Sequence, residues 1–155
     1  MFFMQSGDIL PGIGIGNIKL GMNLNDVEKI IPNSSIQHLP EFYILHGGDI
    51  KVWINISTNC VTQIMVFGTF KGKLMNEFGI GSHLSAIEQK LNQVAQEEHY
   101  VYIIKNLKGI CFELEEIEED WDDIDWFKSN SKINFISVFK DNNNINEVQR
   151  KVVET

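Results

Sequence analysis

The side chains most able to take part in chemistry in this sequence are carboxylates, and nine of them lie within fourteen residues. The segment from Glu113 to Trp126 contains nine Asp and Glu and no Lys or Arg. Without these nine, the chain would have 12 acidic against 13 basic residues instead of 21 against 13, so they account for the net charge of −8. Like charges at this density repel one another, and solubility alone does not require them. The segment therefore indicates a function.

The acidic segment also carries large apolar side chains, so it differs from a solvated acidic tail. Leu114, Ile117, Trp121 and Ile124 recur near i, i+3, i+7 and i+10, which is one face of a short helix with acids on the other face. Charge steers the encounter with a basic partner, and aromatic area holds the complex together. The residues predicted to bind a partner are Glu115, Glu116, Glu118, Glu119, Asp120, Trp121, Asp122, Asp123, Asp125 and Trp126.

Two other uses of these carboxylates stay open. The run from Asp120 to Asp125 offers oxygen ligands for Ca²⁺ or Mg²⁺, but it lacks the central Gly and the terminal Glu of an EF-hand loop. The segment could also be a solvated hairpin tip without a partner. We predict no dedicated metal site, no cofactor and no catalytic residue.

Other residue types that often carry chemistry do not form a recognisable motif. The four histidines show no ligand spacing, and we expect surface or partly buried side chains without a catalytic role at His38, His46, His83 and His99. Cys60 and Cys111 lie in apolar runs and are expected to be buried free thiols, with a disulfide or redox pair as the alternative. The Gly12-x-Gly14-x-Gly16 run has Asn17 where a dinucleotide fingerprint needs glycine, which favours a turn.

The elements that must position the acidic segment form two similar series. The segments Gly21–Ile31 and Gly81–Leu91, offset by 60 positions, match at a glycine, at Leu24 and Leu84, at Glu28 and Glu88, and at two further apolar positions. Both show the apolar spacing of a short amphipathic helix. Asn23, and Ser82 or Ser85, offer oxygens near the helix starts.

Three strand-like runs follow each helix, so each half is predicted as α-β-β-β. In the first half the runs cover 42–45, 50–56 and 61–67, and in the second half 100–104, 109–114 and 133–139. This indicates an α+β fold with an internal duplication, an antiparallel sheet and helices packed on one side. The half-repeats cover about 12–70 and 71–140 of a single domain, 1–155. The connection between the last two strands is much longer in the second half, which makes residues 115–132 an acidic insertion.

Composition and chain ends limit the function classes. A pI near 4.9 argues against nucleic acid or an anionic membrane surface as partner. We expect a cytoplasmic protein, monomeric or weakly dimeric, because no signal peptide or membrane span is recognisable. Residues 1–4 are expected to add a strand. Ile145, Val148 and Val152 predict a last short helix after the Asn142–Asn144 run.

In type, the chain resembles bacterial toxin immunity proteins, including those of contact-dependent growth inhibition. The likeness lies in a small, acidic α+β chain with an acidic aromatic segment. The Gly21–Glu28 stretch and the tandem halves are also similar to repeat-built inhibitors such as the β-lactamase inhibitory proteins. The resemblance implies a one-to-one complex with a toxin domain that has a basic surface, with a nuclease as the expected class, neutralised by occlusion.

Two alternatives of other classes remain. A non-catalytic interaction or assembly module would show several partners or self-association through strand edges. An enzyme using the loop carboxylates with a divalent metal would be stabilised by that metal. The contact surface could also be a sheet face that exposes Trp53 and Tyr102.

Overall fold

A computed structural model describes residues 7–115 and 131–140 of the chain. Within these ranges lie two helices and eleven strands, in the order β1 (Ile9–Leu10), β2 (Gly14–Ile15), β3 (Ile18–Lys19), α1 (Leu24–Ile30), β4 (Ser35–His38), β5 (Phe42–Gly47), β6 (Ile50–Asn55), β7 (Cys60–Phe67), α2 (Leu84–Leu91), β8 (Gln96–Glu98), β9 (Val101–Ile104), β10 (Leu107–Leu114) and β11 (Ile133–Phe139).

Eight of the strands form one antiparallel sheet, which confirms the predicted α+β class. Its order is β4-β5-β6-β7-β11-β10-β9-β8, so each half of the chain forms a four-stranded meander and the two meanders meet at β7 and β11. Each helix is thus followed by four strands, one more than predicted. The additional strands, β4 and β8, are the two edges of the sheet, and their sequences Ser-Ile-Gln-His and Gln-Glu-Glu lack the apolar alternation by which inner strands are recognised.

Both helices pack on the same face of the sheet. Val27 of α1 and Ile87 of α2 are fully buried, and both belong to one large apolar cluster with strand residues such as Val52, Ile64 and Val138. The side chain of Asn23 accepts a hydrogen bond from the amide of Asp26 at 2.9 Å, as expected of a helix cap. The start of α2 differs, because His83 is its cap residue and makes no side-chain cap bond.

The opposite face of the sheet is also apolar, and we refer to it as the second face. Its larger cluster contains Phe42, Ile44, Trp53 and Met65, and its smaller one contains Val101, Cys111 and Phe139. These side chains alternate along the strands with those that face the helices, as the period of two in a strand requires. All inner strands therefore have apolar residues on both faces, which explains their nearly continuous apolar sequences.

The two halves share irregular details as well as element order. Trp53 pairs with Gln63 and Ile54 with Val61, so Thr62 is an extra residue in β7. Glu113 pairs with Phe135 and Leu114 with Ile133, so Asn134 is the extra residue in β11. The two bulges thus lie opposite the residue pairs 53–54 and 113–114, which are 60 positions apart like the two helices.

The connection from each helix start to the sheet is also the same in both halves. The amide of Gly21 donates to the carbonyl of Val61 at 2.9 Å, and the amide of Val61 donates to the carbonyl of Met22 at 2.8 Å. In the second half, the amide of Gly81 donates to Ile133 at 2.9 Å and the amide of Ile133 donates to Ser82 at 2.8 Å. Gly21 and Gly81 have φ of +93° and +92°, a conformation that side chains with Cβ rarely adopt.

The pairing of β7 with β11, where the two halves meet, is symmetric about its centre. The bulges make Gln63 equivalent to Phe135, 72 positions later, and the same offset makes Met65 equivalent to Ser137. Met65 and Ser137 are cross-strand partners at the centre of this pairing. A half-turn about that centre places the pair Phe67–Phe135 on the pair Phe139–Gln63. Equivalent positions of the two halves are 60 residues apart at the helices and 72 residues apart at β7 and β11. The additional residues of the second half therefore lie in the β10–β11 connection.

The remaining strands, β1 to β3, form a small antiparallel sheet before α1. The glycine-rich run contributes turns and β2 to this sheet, and Ile9, Ile15 and Ile18 are buried in the helix-side cluster. A turn and strand therefore account for the run, as predicted. Neither helix of the described chain is long and apolar enough to cross a membrane.

The paired glycines lead to a first prediction. Gly21→Ala and Gly81→Ala should each lower the free energy of unfolding by about 1–2 kcal/mol, because no atom lies near the added Cβ and the cost is that of the left-handed backbone alone. Urea denaturation of both variants measures this. Asn25→Ala, on the exposed side of α1, is the control and should not destabilise. Losses that differ strongly between the two glycines would contradict their equivalence.

Candidate functional site

Of the ten residues predicted to bind a partner, one lies within the described chain. Glu115 is half-buried directly after β10. The other nine lie outside the described residues, and these are Glu116, Glu118, Glu119, Asp120, Trp121, Asp122, Asp123, Asp125 and Trp126. The Ca²⁺ or Mg²⁺ site considered for Asp120–Asp125 lies outside them too.

The two ends of the acidic insertion are held together by hydrogen bonds. The amide of Glu115 donates to the carbonyl of Lys132 at 2.9 Å, and the amide of Lys132 donates to Oε1 of Glu115 at 3.1 Å. These bonds continue the pairing of β10 with β11 by one step beyond Leu114 and Ile133. The insertion therefore begins and ends at two neighbouring residues of the sheet, Glu115 and Lys132.

Residues at the start of α2 contact the end of the insertion from the helix side of the sheet. The backbone of His83 forms an antiparallel β-bridge with that of Lys132. The backbone of the adjacent Gly81 and Ser82 is hydrogen-bonded to the backbone of Ile133. Ser131, directly before this anchor, is fully buried and its hydroxyl has no hydrogen-bond partner in the described structure. The sequence did not mark Lys132 and His83 as anchoring residues, because backbone pairing carries no side-chain motif. The sole available signal was the offset-60 match of Gly81 with Gly21.

The described body is nearly neutral. It contains eleven Asp and Glu against ten Lys and Arg, a net charge of −1, so most of the −8 of the whole chain belongs to the residues outside it. An ion pair joins Lys90 and Glu77 at 3.5 Å on the surface, where such a pair contributes little. The net charge of the described body therefore does not offset the negative charge of the acidic insertion.

The described histidines differ in their burial and in their neighbours. His46 is half-buried with Nε2 3.2 Å from Oε1 of Gln37, and its pKa is lowered by burial and secondly by the charge of Lys51. His38 packs its ring against Tyr43, with 5.0 Å between centroids, and His83 and His99 are exposed. Within residues 7–115 and 131–140, no three His, Cys, Asp or Glu side chains come together to hold a metal ion.

Both cysteines are free thiols, as predicted, but just one is deeply buried. Cys111 is 2% exposed on the second face, where burial and, to a smaller extent, the charge of Glu113 raise the pKa of its thiol to about 12 despite a hydrogen bond with Ser137. Cys60 is half-buried and its thiol donates to the carbonyl of Thr58 at 3.3 Å. A nucleophile needs the thiolate, so Cys111 is unsuited to catalysis.

Trp53 and Tyr102, which were considered as exposed residues of a contact surface, are both buried. Trp53 is completely buried and Tyr102 is 6% exposed, and they belong to clusters on opposite faces of the sheet. The alternative of a contact face that exposes both residues is wrong, because both are buried, Trp53 on the side away from the helices and Tyr102 on the side towards them. Their strand positions could not reveal this from sequence, since the register between the two halves was unknown.

Comparison with models of protein families, with curated proteins and with solved structures gives no match for this chain.

The thiol environment gives a second prediction. Each thiol is measured alone in a folded variant, Cys111 in Cys60→Ser and Cys60 in Cys111→Ser. At pH 8 Cys111 should react with an alkylating reagent far more slowly than Cys60, because a pKa of about 12 leaves about one Cys111 thiol in ten thousand as thiolate. Both thiols should react at similar rates in denaturant. Raising the pH within the folded range should accelerate Cys111 about tenfold per unit. Equal native rates for the two cysteines would contradict this burial.

The anchor of the insertion gives a third prediction. Glu115→Ala should lower the free energy of unfolding by about 0.5–1 kcal/mol, because the amide of Lys132 loses its acceptor at a site that water can partly reach. Urea denaturation measures this loss, with Glu41→Ala, an exposed acid before β5, as the control. A loss no larger than that of the control would show that the side-chain bond does not hold the base of the insertion.

Proposed function

We propose that this chain is an immunity-type inhibitor that binds and neutralises a cognate bacterial toxin, in which an acidic, aromatic loop occludes a basic site. The observation that supports this most is the separation of charge. A body with a net charge of −1 anchors, between Glu115 and Lys132, a segment of seven acidic residues and one lysine, whose net charge is −6 of the −8 of the whole chain. Inhibition by occlusion needs such a segment on a stable support, and it needs no catalytic group on the inhibitor.

The chemistry of the segment fits a cation-rich cleft, such as the substrate channel of a nuclease. Its carboxylates would stand in for the phosphates that the cleft normally binds, and their field would accelerate association. Trp121 and Trp126 are the best candidates for anchors, because large aromatic side chains dominate the energy of many interfaces. The toxin would then be blocked by occupation of its site.

We also propose that the two halves arose by internal duplication. The support lies in shared irregularities, which amphipathic periodicity alone would not produce. These are the bulges at Thr62 and Asn134, the left-handed Gly21 and Gly81, and the repeated backbone bonds to Val61 and Ile133. A duplicated scaffold with an extended hairpin in one copy is similar in organisation to the repeat-built inhibitors named above.

An assembly module is the second candidate, and the sheet edges favour it. The edge strand β4 carries no charge apart from the titratable His38, and Ile36 is 46% exposed on it. Uncharged edges with unpaired backbone groups are the sites at which sheets of two molecules join. Self-association or several weak partners, measured by sedimentation over a range of concentrations, would support this candidate over the inhibitor.

The inhibitor proposal gives a fourth prediction. The proposed partner is a toxin domain with a basic surface, which is sought as the product of the neighbouring reading frame. Neutralising Glu118, Glu119, Asp120, Asp122 and Asp123 to amides should slow association with it by about tenfold or more at low salt and flatten the salt dependence. The control variant neutralises five acids on the body to amides, and these are Glu28, Glu41, Glu77, Glu97 and Glu98.

Binding kinetics at about 150 mM and 500 mM salt compare the two variants. A slowed loop variant beside an unchanged body variant is the expected result. An unchanged association rate and affinity in the loop variant would overturn docking by this segment, and equal slowing in both variants would reduce its role to that of net charge.

A further inference from the structure

The edge strand β4 presents a regular set of backbone groups on its open side. It pairs with β5 along its whole length, and the amide of Leu39, directly after it, donates to the carbonyl of Phe42 at 2.8 Å. In an antiparallel pair, the residues that bond the neighbouring strand alternate with residues that do not. Leu39 and Gln37 therefore bond β5, whereas the N–H and C=O groups of Ile36 and His38 point to the open edge.

The bonds on the other side of β5 confirm this alternation. The amide of Ile56 donates to the carbonyl of Glu41 at 3.0 Å, in line with the register of β5 and β6. Glu41 and, two residues later, Tyr43 therefore bond β6. Ile44 is left to bond β4, where its partner is Gln37. The orientation of the backbone groups of β4 is thus fixed by hydrogen bonds on both sides of β5.

These outward groups are accessible and lie in a part of the chain without permanent charge. Ile36 is 46% exposed, and His38 is exposed as well. No Asp, Glu, Lys or Arg occurs from Ile30 to Pro40. A net charge of −8 opposes the approach of a second copy of the chain, but at this segment two copies would meet without like charges. The edge therefore suits pairing with an identical strand.

The other edge of the large sheet is protected against such pairing. Glu98 pairs with Val101 across a two-residue turn, so of the residues of β8 Glu97 alone directs its N–H and C=O groups outwards. The amide of Ala95, directly before this strand, donates to Oε2 of Glu88 at 2.6 Å. Charged side chains on an edge strand oppose its pairing with another sheet. Of the two edges of the described sheet, β4 is therefore the one that favours association.

The outward groups of β4 are complementary to those of a second copy. When two β4 strands run antiparallel with Gln37 opposite Gln37 of the second copy, Ile36 of each copy lies opposite His38 of the other. Each of these pairs exchanges two backbone hydrogen bonds, so every outward group of both strands is satisfied. The neighbouring registers would need Ser34, which lies outside β4, or Pro40, which has no N–H. One register therefore fits best.

We propose that two copies of this chain form a two-fold symmetric dimer through β4, with Gln37 at the axis, so that their eight-stranded sheets become one continuous sheet. Each copy uses its uncharged edge, so the symmetry is closed and association stops at the dimer. Two strands of four residues bury less than the about 1,200 Å² of a standard interface, and the dimer is therefore weak and reversible. This inference deepens the second candidate function and rests on the self-association that this candidate requires.

Sedimentation equilibrium of the full-length chain tests the dimer at concentrations from about 10 to 500 µM. The mean mass should rise from 17.8 kDa towards twice that value and no further. Ile36→Pro removes an outward N–H from each copy but no bond to β5, and proline is tolerated at such a position of an edge strand. Because half of the backbone bonds between the copies are lost, association should weaken by about tenfold or more.

A charge at the same position provides a second variant with a matched control. Ile36→Lys adds a positive charge to the edge of each copy and should weaken association to a similar extent. Ile13→Lys makes the same substitution at an isoleucine that is 56% exposed, in the small sheet beside β10, and should associate like the unmodified chain. Far-UV circular dichroism and cooperative melting identify the variants that remain folded, so Ile36→Lys decides the matter if Ile36→Pro does not fold.

Disulfide formation between copies tests the register. In a background with Cys60→Ser and Cys111→Ser, Gln37→Cys places two thiols opposite each other at the axis, with their Cα atoms about 4.5 Å apart. Ser35→Cys, on the same face of β4, is the control, because its two copies lie about 13 Å apart along the strands, which is too far for a disulfide. Under mild oxidation Gln37→Cys should cross-link at least about tenfold faster than Ser35→Cys.

The possible failures are distinguishable. A chain that stays monomeric at about 500 µM overturns the dimer together with the self-association of the second candidate. Self-association that both Ile36 variants leave unchanged, or equal cross-linking of the Gln37 and Ser35 variants, overturns the β4 dimer alone. Growth to masses beyond that of the dimer also overturns it, because a closed two-fold contact cannot propagate.

Discussion

The pairing of β7 with β11 is the interaction on which the rest of this structure depends. It is the single place where the first four strands of the sheet meet the last four, and it joins residues that lie about 70 positions apart in the chain. Met65 and Ser137 form its central pair, and the pairs on either side are related by a rotation about that centre. Both meanders and both helices are positioned relative to each other by this one antiparallel register.

The same pairing explains why the acidic insertion can be long without weakening the sheet. β11 is held by β7 along five residue pairs and by β10 along another five, so its position does not depend on the connection that precedes it. Closing a longer loop costs little additional entropy once its ends are fixed. Glu115, Lys132 and the backbone before α2 fix those ends. The second half of the molecule thus has a long connection between β10 and β11, whereas the first half has a tight turn between β6 and β7.

Much of the scaffold was predictable, because it follows from local periodicity. The α+β class, both helices, the inner strands and the free thiols follow from apolar spacing and composition, and the glycine match at positions 21 and 81 marks equivalent backbone conformations. The edge strands β4 and β8 were missed since they bury little apolar surface and are stabilised by pairing with a neighbour. The capping of α2 also differed, because Ser82 takes part in a turn, where its hydroxyl accepts from the amide of Gly79.

What the sequence by itself determined is therefore the chemistry of the acidic segment and the identity of the elements beside it. Charge density, aromatic content and periodicity are properties of neighbouring residues. The tertiary structure decided which residues share a face, that Trp53 is buried on the side opposite Tyr102, and that Lys132 and the start of α2 anchor the insertion. These depend on strand register, and a shift of one residue would move every side chain of a strand to the other face, so no local pattern can specify them.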